Sequence, residues 1–140
     1  MPVPAEYERA SDQFYKFLLD ARDAAGLTTT NQAYTMVQGV LQAFRRRLDF
    51  KDAILFANIL PIGLRALFVS DWDMNEPTQP FQERAIMTRE VQALRAEHNF
   101  APDSAIRDVA CALRKNIDEV ALDQLLAKLP KGAVQFWQTY

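Results

Sequence analysis

Two residue types that often carry enzyme chemistry occur once each in this chain. His98 lies in the stretch Glu97-His98-Asn99-Phe100, a predicted loop or helix end, and a single histidine cannot build a multi-histidine metal site. Cys111 has no second cysteine for a disulfide or a metal site, and the neighbouring Arg114 and Lys115 do not form a catalytic pair with it. We therefore expect His98 to be a surface or capping residue and Cys111 to be a buried, unreactive thiol.

The carboxylates follow no pattern that acid–base or metal chemistry requires. Asp49 and Asp52 have the spacing of a helix start, which explains the pair without catalysis. No Glu-x-x-His spacing, glycine-rich phosphate loop or nucleophile elbow occurs, and the chain has only four glycines from which to build a loop of that kind. The sequence predicts no catalytic, cofactor-binding or metal-binding residue and no cofactor, and so favours a protein that is not an enzyme.

The strongest positive cluster is Arg45-Arg46-Arg47. Three arginines in the last turn of a helix complement its dipole, so one interpretation is a solvated helix end. The alternative is a low-affinity contact with nucleic acid. The acidic balance of the whole chain disfavours the second interpretation.

Trp72 stands between two aspartates, outside any helical pattern. It is predicted either to fill a seam between two halves of the molecule or to present an exposed anchor to a partner. A pocket between the halves, near Trp72 and Phe81, would make the protein a small-molecule binder, because ligand sites often lie between the helices of a bundle.

The elements that position these residues repeat along the chain. Leu60-Pro61-Ile62-Gly63 returns as Leu129-Pro130-Lys131-Gly132, an offset of 69 residues (129 minus 60). At that offset the ungapped stretch from residue 40 to residue 63 contains the following identical pairs: Val40/Val109, Ala43/Ala112, Arg45/Arg114, Asp49/Asp118, Leu60/Leu129, Pro61/Pro130 and Gly63/Gly132. Repetition of this kind predicts one unit used twice, stacked to bury a shared face.

Apolar residues at spacings of three and four predict helices throughout, and no segment alternates with period two over strand length. After a tail of residues 1–5, the first-half helices are predicted at residues 6–25, 31–47, about 49–60 and 61–70. The second-half helices are predicted at residues 81–97, 102–115, 118–128 and 130–137. Gly26 should end the first helix, Thr29 and Gln32 should form a capping box, and Asp49 and Asp118 should cap their helices.

The second helix is expected to carry Gln38, Gln42, Arg45 and Arg46 on a solvent face. The third, almost entirely apolar, is expected to be central. Pro61 is predicted to break the chain into a new helix with itself at the first helical position, while a continuous kinked helix stays open as the alternative. The predicted fold class is all-α: an internally duplicated helical bundle of two similar halves, each of three to four helices, sharing one core. The repeats span about 6–72 and 79–138, with a linker at about 71–80.

Composition sets the remaining limits. With 140 residues, 49% of them hydrophobic, the chain is long enough for one folded domain. A net charge of −2 argues against a dedicated binder of nucleic acid or anionic membrane. The N-terminus lacks the pattern of a signal peptide, no apolar run reaches membrane-spanning length, and one cysteine suits a reducing compartment, so a cytoplasmic location is expected.

Several of these motifs together resemble a known family. The helix ending in Arg45-Arg46-Arg47-Leu48, the helix with Asp52-Ala53, and Leu60-Pro61 followed by Leu64-Arg65-Ala66-Leu67-Phe68 and Trp72 are similar to the DUF2267 family, as are Leu129-Pro130 and Phe136-Trp137. The resemblance runs from about Phe14 to Trp137. It implies a small, duplicated, helical protein of the bacterial cytosol, from a family without an established function, and it brings no catalytic residues. The function expected is a non-enzymatic interaction or regulatory module that binds a protein partner or a second copy of itself.

Overall fold

A computed structural model describes residues 3–140, so the predicted tail lies outside the described residues at positions 1 and 2, and Ala5 already begins a helix. Residues 3–140 contain no strand. The helices are α1 (Ala5–Glu8), α2 (Ala10–Ala25), α3 (Thr30–Arg45), α4 (Phe50–Ile59), α5 (Ile62–Val69), α6 (Arg84–Ala93), α7 (Ala105–Lys115), α8 (Glu119–Leu126) and α9 (Ala133–Phe136), with a short 3-10 helix at Ala96–His98. The all-α fold class is confirmed.

The predicted helix boundaries that rest on capping chemistry are confirmed. Gly26 follows α2 with φ +68°, and Thr29 and Gln32 form the capping box of α3. Asp49 accepts a hydrogen bond from the backbone of Asp52 at the start of α4, and Asp118 caps α8 in the same way. Side chains that accept the unpaired N–H groups of a first turn fix where a helix begins.

Pro61 breaks the chain, and the alternative of one kinked helix is wrong. Leu60 is extended, with φ −81° and ψ 147°, because a following proline excludes the helical conformation. Pro61 itself precedes α5 as its N-cap, one position earlier than predicted. Pro130 likewise separates α8 from α9.

Several helices are shorter than predicted. The first predicted helix is interrupted at Arg9, and α6 ends at Ala93, two residues before Arg95 takes a left-handed conformation with φ +47°. Apolar spacing continues beyond both points, which is why the pattern alone overestimates helix length. Residues 81–83, predicted as helix, have no helical structure, and α7 begins three residues after Pro102.

The central helix is α3 and not α4. It packs against α2, α5, α6 and α7 and is buried on nearly all sides. Gly39 allows a close crossing of α3 and α6, since a Cβ there would lie 2.9 Å from Val91 of α6. The predicted solvent face of α3 is therefore wrong: Gln38, Gln42 and Arg45 are all buried. The apolar residues Phe50, Ile54 and Leu55 of α4 are exposed instead.

One aromatic cluster joins the two halves of the chain. Phe44 of α3 has ring centroids 4.7 Å from Phe56, 4.9 Å from Phe136 and 5.3 Å from Trp137. Phe56 in turn lies 5.2 Å from Phe68. Residues from both halves belong to a single hydrophobic core. The order of helices also agrees between the halves, although a shared origin by duplication stays a prediction.

Candidate functional site

The arginines at the end of α3 point into the protein. Arg45 is 3% exposed and donates from Nη1 to the backbone oxygens of Phe68, at 2.8 Å, and Ser70, at 2.9 Å. Its guanidinium carbon lies 5.0 Å from the centre of the Trp72 ring, the geometry of a cation–π contact. Arg45 therefore fixes the end of α5 and the start of the linker.

Arg46 and Arg47 attach the linker and α6 to α3. Arg46 donates to Glu76 at 2.9 Å and to Glu90 at 3.1 Å. Arg47, whose side chain is 0% exposed, donates to Glu90, to Gln82 and to the backbone oxygens of Ala43 and Pro80. Two guanidinium groups on one carboxylate bind three segments of the chain together.

These contacts bear on both interpretations of the arginine cluster. Arg45 and Arg47 are buried, so the helix end is not solvated. Their donors serve backbone oxygens and carboxylates of the protein itself, and Arg46 is held by two glutamates. A nucleic-acid surface needs exposed cations, so the burial of Arg45 and Arg47 argues against the alternative of a low-affinity contact with nucleic acid, which stays untested.

Glu90 is stabilised in its charged form by this cluster. Burial acts to raise the pKa of Glu90, but the hydrogen bonds and positive charges of Arg47 and Arg46 outweigh burial and lower it. The carboxylate is therefore ionised at neutral pH, and the ion pair is a structural element of the α3–α6 contact.

A cleft opens where α3 ends and α4 begins, covered in part by the linker. We call it the first-half cleft; its apolar walls are Leu48, Phe50, Trp72 and Met74, and its volume is about 290 Å³. The Phe50 and Trp72 rings meet edge to face at 5.4 Å. Phe50 is 48% exposed, and Ile54 follows one helical turn later with 58% of its surface exposed. An exposed apolar stripe thus continues from the cleft along α4.

Arg45 also lines the first-half cleft, and part of its guanidinium is unused. Both of its hydrogen bonds involve Nη1, and within residues 3–140 neither Nε nor Nη2 donates to a protein acceptor. No carboxylate of that stretch forms an ion pair with Arg45. These nitrogens are not sealed in, because the one buried side-chain nitrogen or oxygen without a partner in residues 3–140 is Nε1 of Trp137. Because Arg45 lines the cleft, we infer that these free donors face it.

The corresponding arginine of the second half, Arg114, is paired with carboxylates. It donates from Nε to the backbone oxygen of Trp137 at 3.0 Å. Trp137 lies 23 residues after Arg114, just as Phe68 lies 23 residues after Arg45. The Nη atoms of Arg114 lie 3.0 Å from Asp123 and 3.9 Å from Glu119.

The residues that pair with Arg114 have apolar counterparts in the first half. At the offset of 69, Glu119 corresponds to Phe50 and Asp123 to Ile54. The first half thus carries exposed apolar side chains in the positions where the second half carries the carboxylates. This substitution leaves Arg45 unpaired beside an apolar surface.

The predicted pocket between the halves is not formed by Trp72 and Phe81. Trp72 lines the first-half cleft, whereas Phe81 lines a separate cleft of about 520 Å³ between the start of α6 and α9. Trp72 packs on first-half residues and is neither a plug at the seam nor a fully exposed anchor. In the cleft of Phe81 the guanidinium of Arg84 is already occupied, since it donates to four backbone oxygens of residues 135–140.

The remaining sequence candidates lie apart from the first-half cleft. His98 is exposed in the 3-10 helix, in agreement with a surface role. Cys111 on α7 is half-buried, less covered than predicted. Residues 3–140 contain no group of three histidine, cysteine, aspartate or glutamate side chains that could hold a metal ion. None of their helices has the length and apolar character needed to cross a bilayer.

Comparison with known protein families identifies the family to which the chain belongs. The family described as "Uncharacterized conserved protein (DUF2267)" matches residues 14–136. The chain belongs to the DUF2267 family. The match includes α2 to α9 almost completely, and so both Arg45 and Arg114. No curated protein matches this DUF2267 chain in sequence, and the function of the family is not established.

Sequence reasoning missed the first-half cleft in this DUF2267 protein, although one signal for it was present. The offset of 69 aligns Phe50 with Glu119 and Ile54 with Asp123, an exchange of apolar for acidic residues at positions of conserved spacing within the repeat. That exchange marks where the two halves differ in surface chemistry. Only the structure shows which of the aligned residues are exposed.

Proposed function

We propose that this DUF2267 protein is a non-enzymatic interaction module that binds a segment of a partner protein in the first-half cleft. The observation that carries the proposal is the exposed pair Phe50 and Ile54, in positions where the second half has Glu119 and Asp123. Apolar side chains in exposed positions beside a cleft are typical of surfaces that another molecule covers.

The exposed apolar stripe that continues from the cleft along α4 favours a protein partner over a cofactor. Small-molecule pockets usually have volumes of about 300–1,000 Å³, and the first-half cleft, at about 290 Å³, is at the lower end of that range. A volume of this size accommodates one large side chain. Protein interfaces often depend on such an anchor side chain inserted in a pocket, and the stripe along α4 extends the surface for neighbouring residues.

The polar groups around the cleft support binding and not catalysis. Asp49 is occupied as the cap of α4, and Glu76 is held by Arg46. The lining of the cleft includes neither His98 nor Cys111. A general base would need a carboxylate or imidazole free to move a proton.

We also infer a bacterial cytoplasmic location and a partner that is not nucleic acid. The resemblance to the family and the single cysteine, typical of a reducing compartment, support the location. The net charge of −2 and the buried arginines support a protein partner. A second copy of the chain is the rival partner, and it would appear as a dimer that depends on Phe50.

The proposal can be tested by selecting peptides from a random library with free C-termini against the immobilised protein. We expect the selected peptides to bind the wild type and to lose at least about tenfold in affinity for Phe50→Asp, because a charge replaces an anchor contact. Phe100→Asp is the matched control, since Phe100 is 59% exposed and distant in sequence from the cleft. It should bind as the wild type does.

Two results would contradict the proposal. One is a selection that enriches no peptide above background, and the other is a set of peptides whose binding Phe50→Asp leaves unchanged. Light scattering of the unliganded protein addresses the rival partner: a dimer that Phe50→Asp dissociates and Phe100→Asp preserves would replace the peptide with a second copy.

A further inference from the structure

The first-half cleft contains a charge without a counter-charge in contact with it. Arg45 is 3% exposed and remains protonated at any ordinary pH, so it is a buried cation. Its acceptors are two neutral backbone oxygens and the face of Trp72. A buried charge without an ion pair is costly, and the burial lowers the pKa of Arg45 more than the neighbouring Arg46 does.

The second half shows what completes such a site. Arg114 makes the corresponding bond to the backbone oxygen of Trp137 and adds two carboxylates, Asp123 at 3.0 Å and Glu119 at 3.9 Å. In the first half those positions are Phe50 and Ile54, and the unused donors Nε and Nη2 of Arg45 face the cleft. A carboxylate is the group that the first half lacks.

The cleft places Arg45 close to apolar walls, which favours a ligand whose carboxylate and apolar group belong to one residue. Arg45 and the walls formed by Phe50, Trp72 and Met74 line the same volume of about 290 Å³. In a protein the two groups lie closest together in a C-terminal residue with an apolar side chain, where a single carbon joins them. An acidic side chain within a segment brings the charge without the apolar group.

We propose that the first-half cleft binds the C-terminal residue of a partner protein, with its α-carboxylate on Nε and Nη2 of Arg45 and its apolar side chain between Phe50, Trp72 and Met74. This proposal rests on the proposed function and specifies the partner. Planar guanidinium groups bind carboxylates through two parallel hydrogen bonds, which fixes the orientation of the bound residue.

Negative charges near the mouth of the cleft moderate the affinity. Asp71 and Glu76 lie close enough to Arg45 to oppose the lowering of its pKa, but neither forms an ion pair with it. Glu76 is neutralised by Arg46, whereas Asp71 is exposed and has a left-handed backbone that asparagine also tolerates. Asp71→Asn should therefore tighten binding of a carboxylate ligand without disturbing the fold.

The test is a titration of ¹⁵N-labelled protein, followed by NMR, with N-acetylphenylalanine and with its amide. The two probes share the apolar group, and only the first is charged at neutral pH. We expect the acid to shift the backbone signals of residues 45–50 and 72–78 and to bind at least about tenfold more tightly than the amide, the value of a charge-assisted hydrogen bond. A third probe, N-acetylglutamic acid α-amide, carries its only carboxylate on the side chain. It should bind more weakly than N-acetylphenylalanine.

The double variant Phe50→Glu with Ile54→Asp supplies Arg45 with the carboxylates of the second half and avoids replacing a buried arginine. It should abolish the preference for the acid, whereas Phe100→Asp should retain it. Equal binding of acid and amide at the cleft would overturn the C-terminal carboxylate and leave the proposed function standing. Tighter binding of N-acetylglutamic acid α-amide would likewise replace the C-terminus with an acidic side chain.

No shift at residues 45–50 and 72–78 with any probe, up to roughly 10 mM, would overturn this inference. That concentration is about ten times a dissociation constant of 1 mM, which corresponds to a binding free energy of about −4 kcal/mol. The peptide selection decides separately on the proposed function, because a longer segment adds contacts along α4 that these probes lack.

Discussion

Arg45 and Arg114 occupy corresponding positions in the two halves and make the same first contact, but their surroundings differ. Each donates to the backbone oxygen of the aromatic residue 23 positions later, Phe68 or Trp137. Around Arg114 the start of α8 supplies two carboxylates. Around Arg45 the start of α4 supplies exposed apolar side chains, and an open cleft remains.

A second pair of residues shows the opposite difference. Arg47 and Asn116 correspond at the offset of 69, and each donates to the backbone oxygen four residues earlier, at 2.8 Å and 2.7 Å. Arg47 then reaches Glu90 on α6, while Asn116 reaches Asp20 on α2 at 2.8 Å. Each half thereby attaches its second long helix to the first long helix of the other half. Here the first half has the stronger, more buried contact.

The contacts that recur in both halves support the fold, and the unmatched contacts create surface chemistry. Bonds from a side chain to the backbone recur in both halves because they fix how helices end and cross. Carboxylates and exposed apolar residues around them are not needed for that purpose, so they can differ. Substitutions at matched positions separate the two roles.

The largest expected effect comes from Arg47→Ala. We expect a loss of about 3 kcal/mol in the free energy of unfolding, the lower end for a broken buried ion pair because Glu90 keeps some solvent contact. Asn116→Ala should cost about 1 kcal/mol, since it removes one hydrogen bond to a backbone oxygen and one to the carboxylate of Asp20. Urea unfolding of both variants checks the ratio, and equal losses would refute the assignment of Arg47 as the stronger connection.

The two Leu-Pro-x-Gly motifs should respond unequally to alanine. A Cβ at Gly132 would lie 2.5 Å from Phe81, and its φ of +107° strains any other residue, so Gly132→Ala should cost about 2–3 kcal/mol. Gly63 has no such φ, and its Cβ would meet Phe14 at 2.8 Å, so Gly63→Ala should cost roughly 1–2 kcal/mol. Thermal unfolding followed by circular dichroism measures both, and a larger loss at Gly63 would contradict the backbone argument.

Acid should weaken the connection between α3 and α6. The pKa of Glu90 is lowered in the folded protein, so the stability that its charge contributes is present above the ordinary glutamate pKa of 4.5 and is lost as pH falls through the folded value. Glu90→Gln should therefore flatten the decline in unfolding free energy below about pH 4.5. Urea unfolding at several pH values gives the change of unfolding free energy with pH for the wild type and for Glu90→Gln. The same change in both proteins would exclude Glu90 as a contributor.

The two helix caps should contribute equally. Asp49→Ala and Asp118→Ala each remove a side chain that accepts backbone N–H groups in a first turn, and each should cost about 1 kcal/mol. Their difference should stay within about 0.5 kcal/mol. A cap that proves dispensable in one half would show that its helix start is fixed by packing alone.

The smallest effect on stability is expected from Phe50→Glu with Ile54→Asp. Both side chains are about half exposed, so their replacement should change the unfolding free energy by no more than roughly 0.5 kcal/mol. New ion pairs with Arg45 would offset the lost apolar contacts with Trp72. Calorimetric unfolding that shows a loss several times larger would mean that Phe50 and Ile54 belong to the core and not to a binding surface.

Much of this fold could be predicted from the sequence because its signals are local. Thr29 with Gln32, Asp49, Asp118 and Pro61 act through their own backbone neighbours, and each was located within one residue. Gln38, Arg45 and Arg47 were misplaced because periodicity assigns polar residues to solvent. Their burial depends on partners far along the chain: the arginines donate to the backbone of Phe68 and Ser70 and to the carboxylate of Glu90, and Gln38 accepts from the guanidinium of Arg95.

The candidate site was less accessible to sequence reasoning. Phe50 and Ile54 have the composition of a buried helix, and only the packing of α4 on one side leaves them exposed. The cleft itself depends on the path of residues 72–78, which follow no periodic pattern.

Nε and Nη2 of Arg45 are free to donate to a ligand, whereas the same two nitrogens of Arg114 are hydrogen-bonded within the protein. Side-chain ¹⁵N NMR of the arginine Nε–H groups tests this difference directly during a titration with N-acetylphenylalanine. We expect the Nε–H signal of Arg45 to shift progressively with added ligand, while that of Arg114, bonded to the backbone of Trp137, stays in place. A stationary Arg45 signal, or equal shifts of the two arginines, would contradict it.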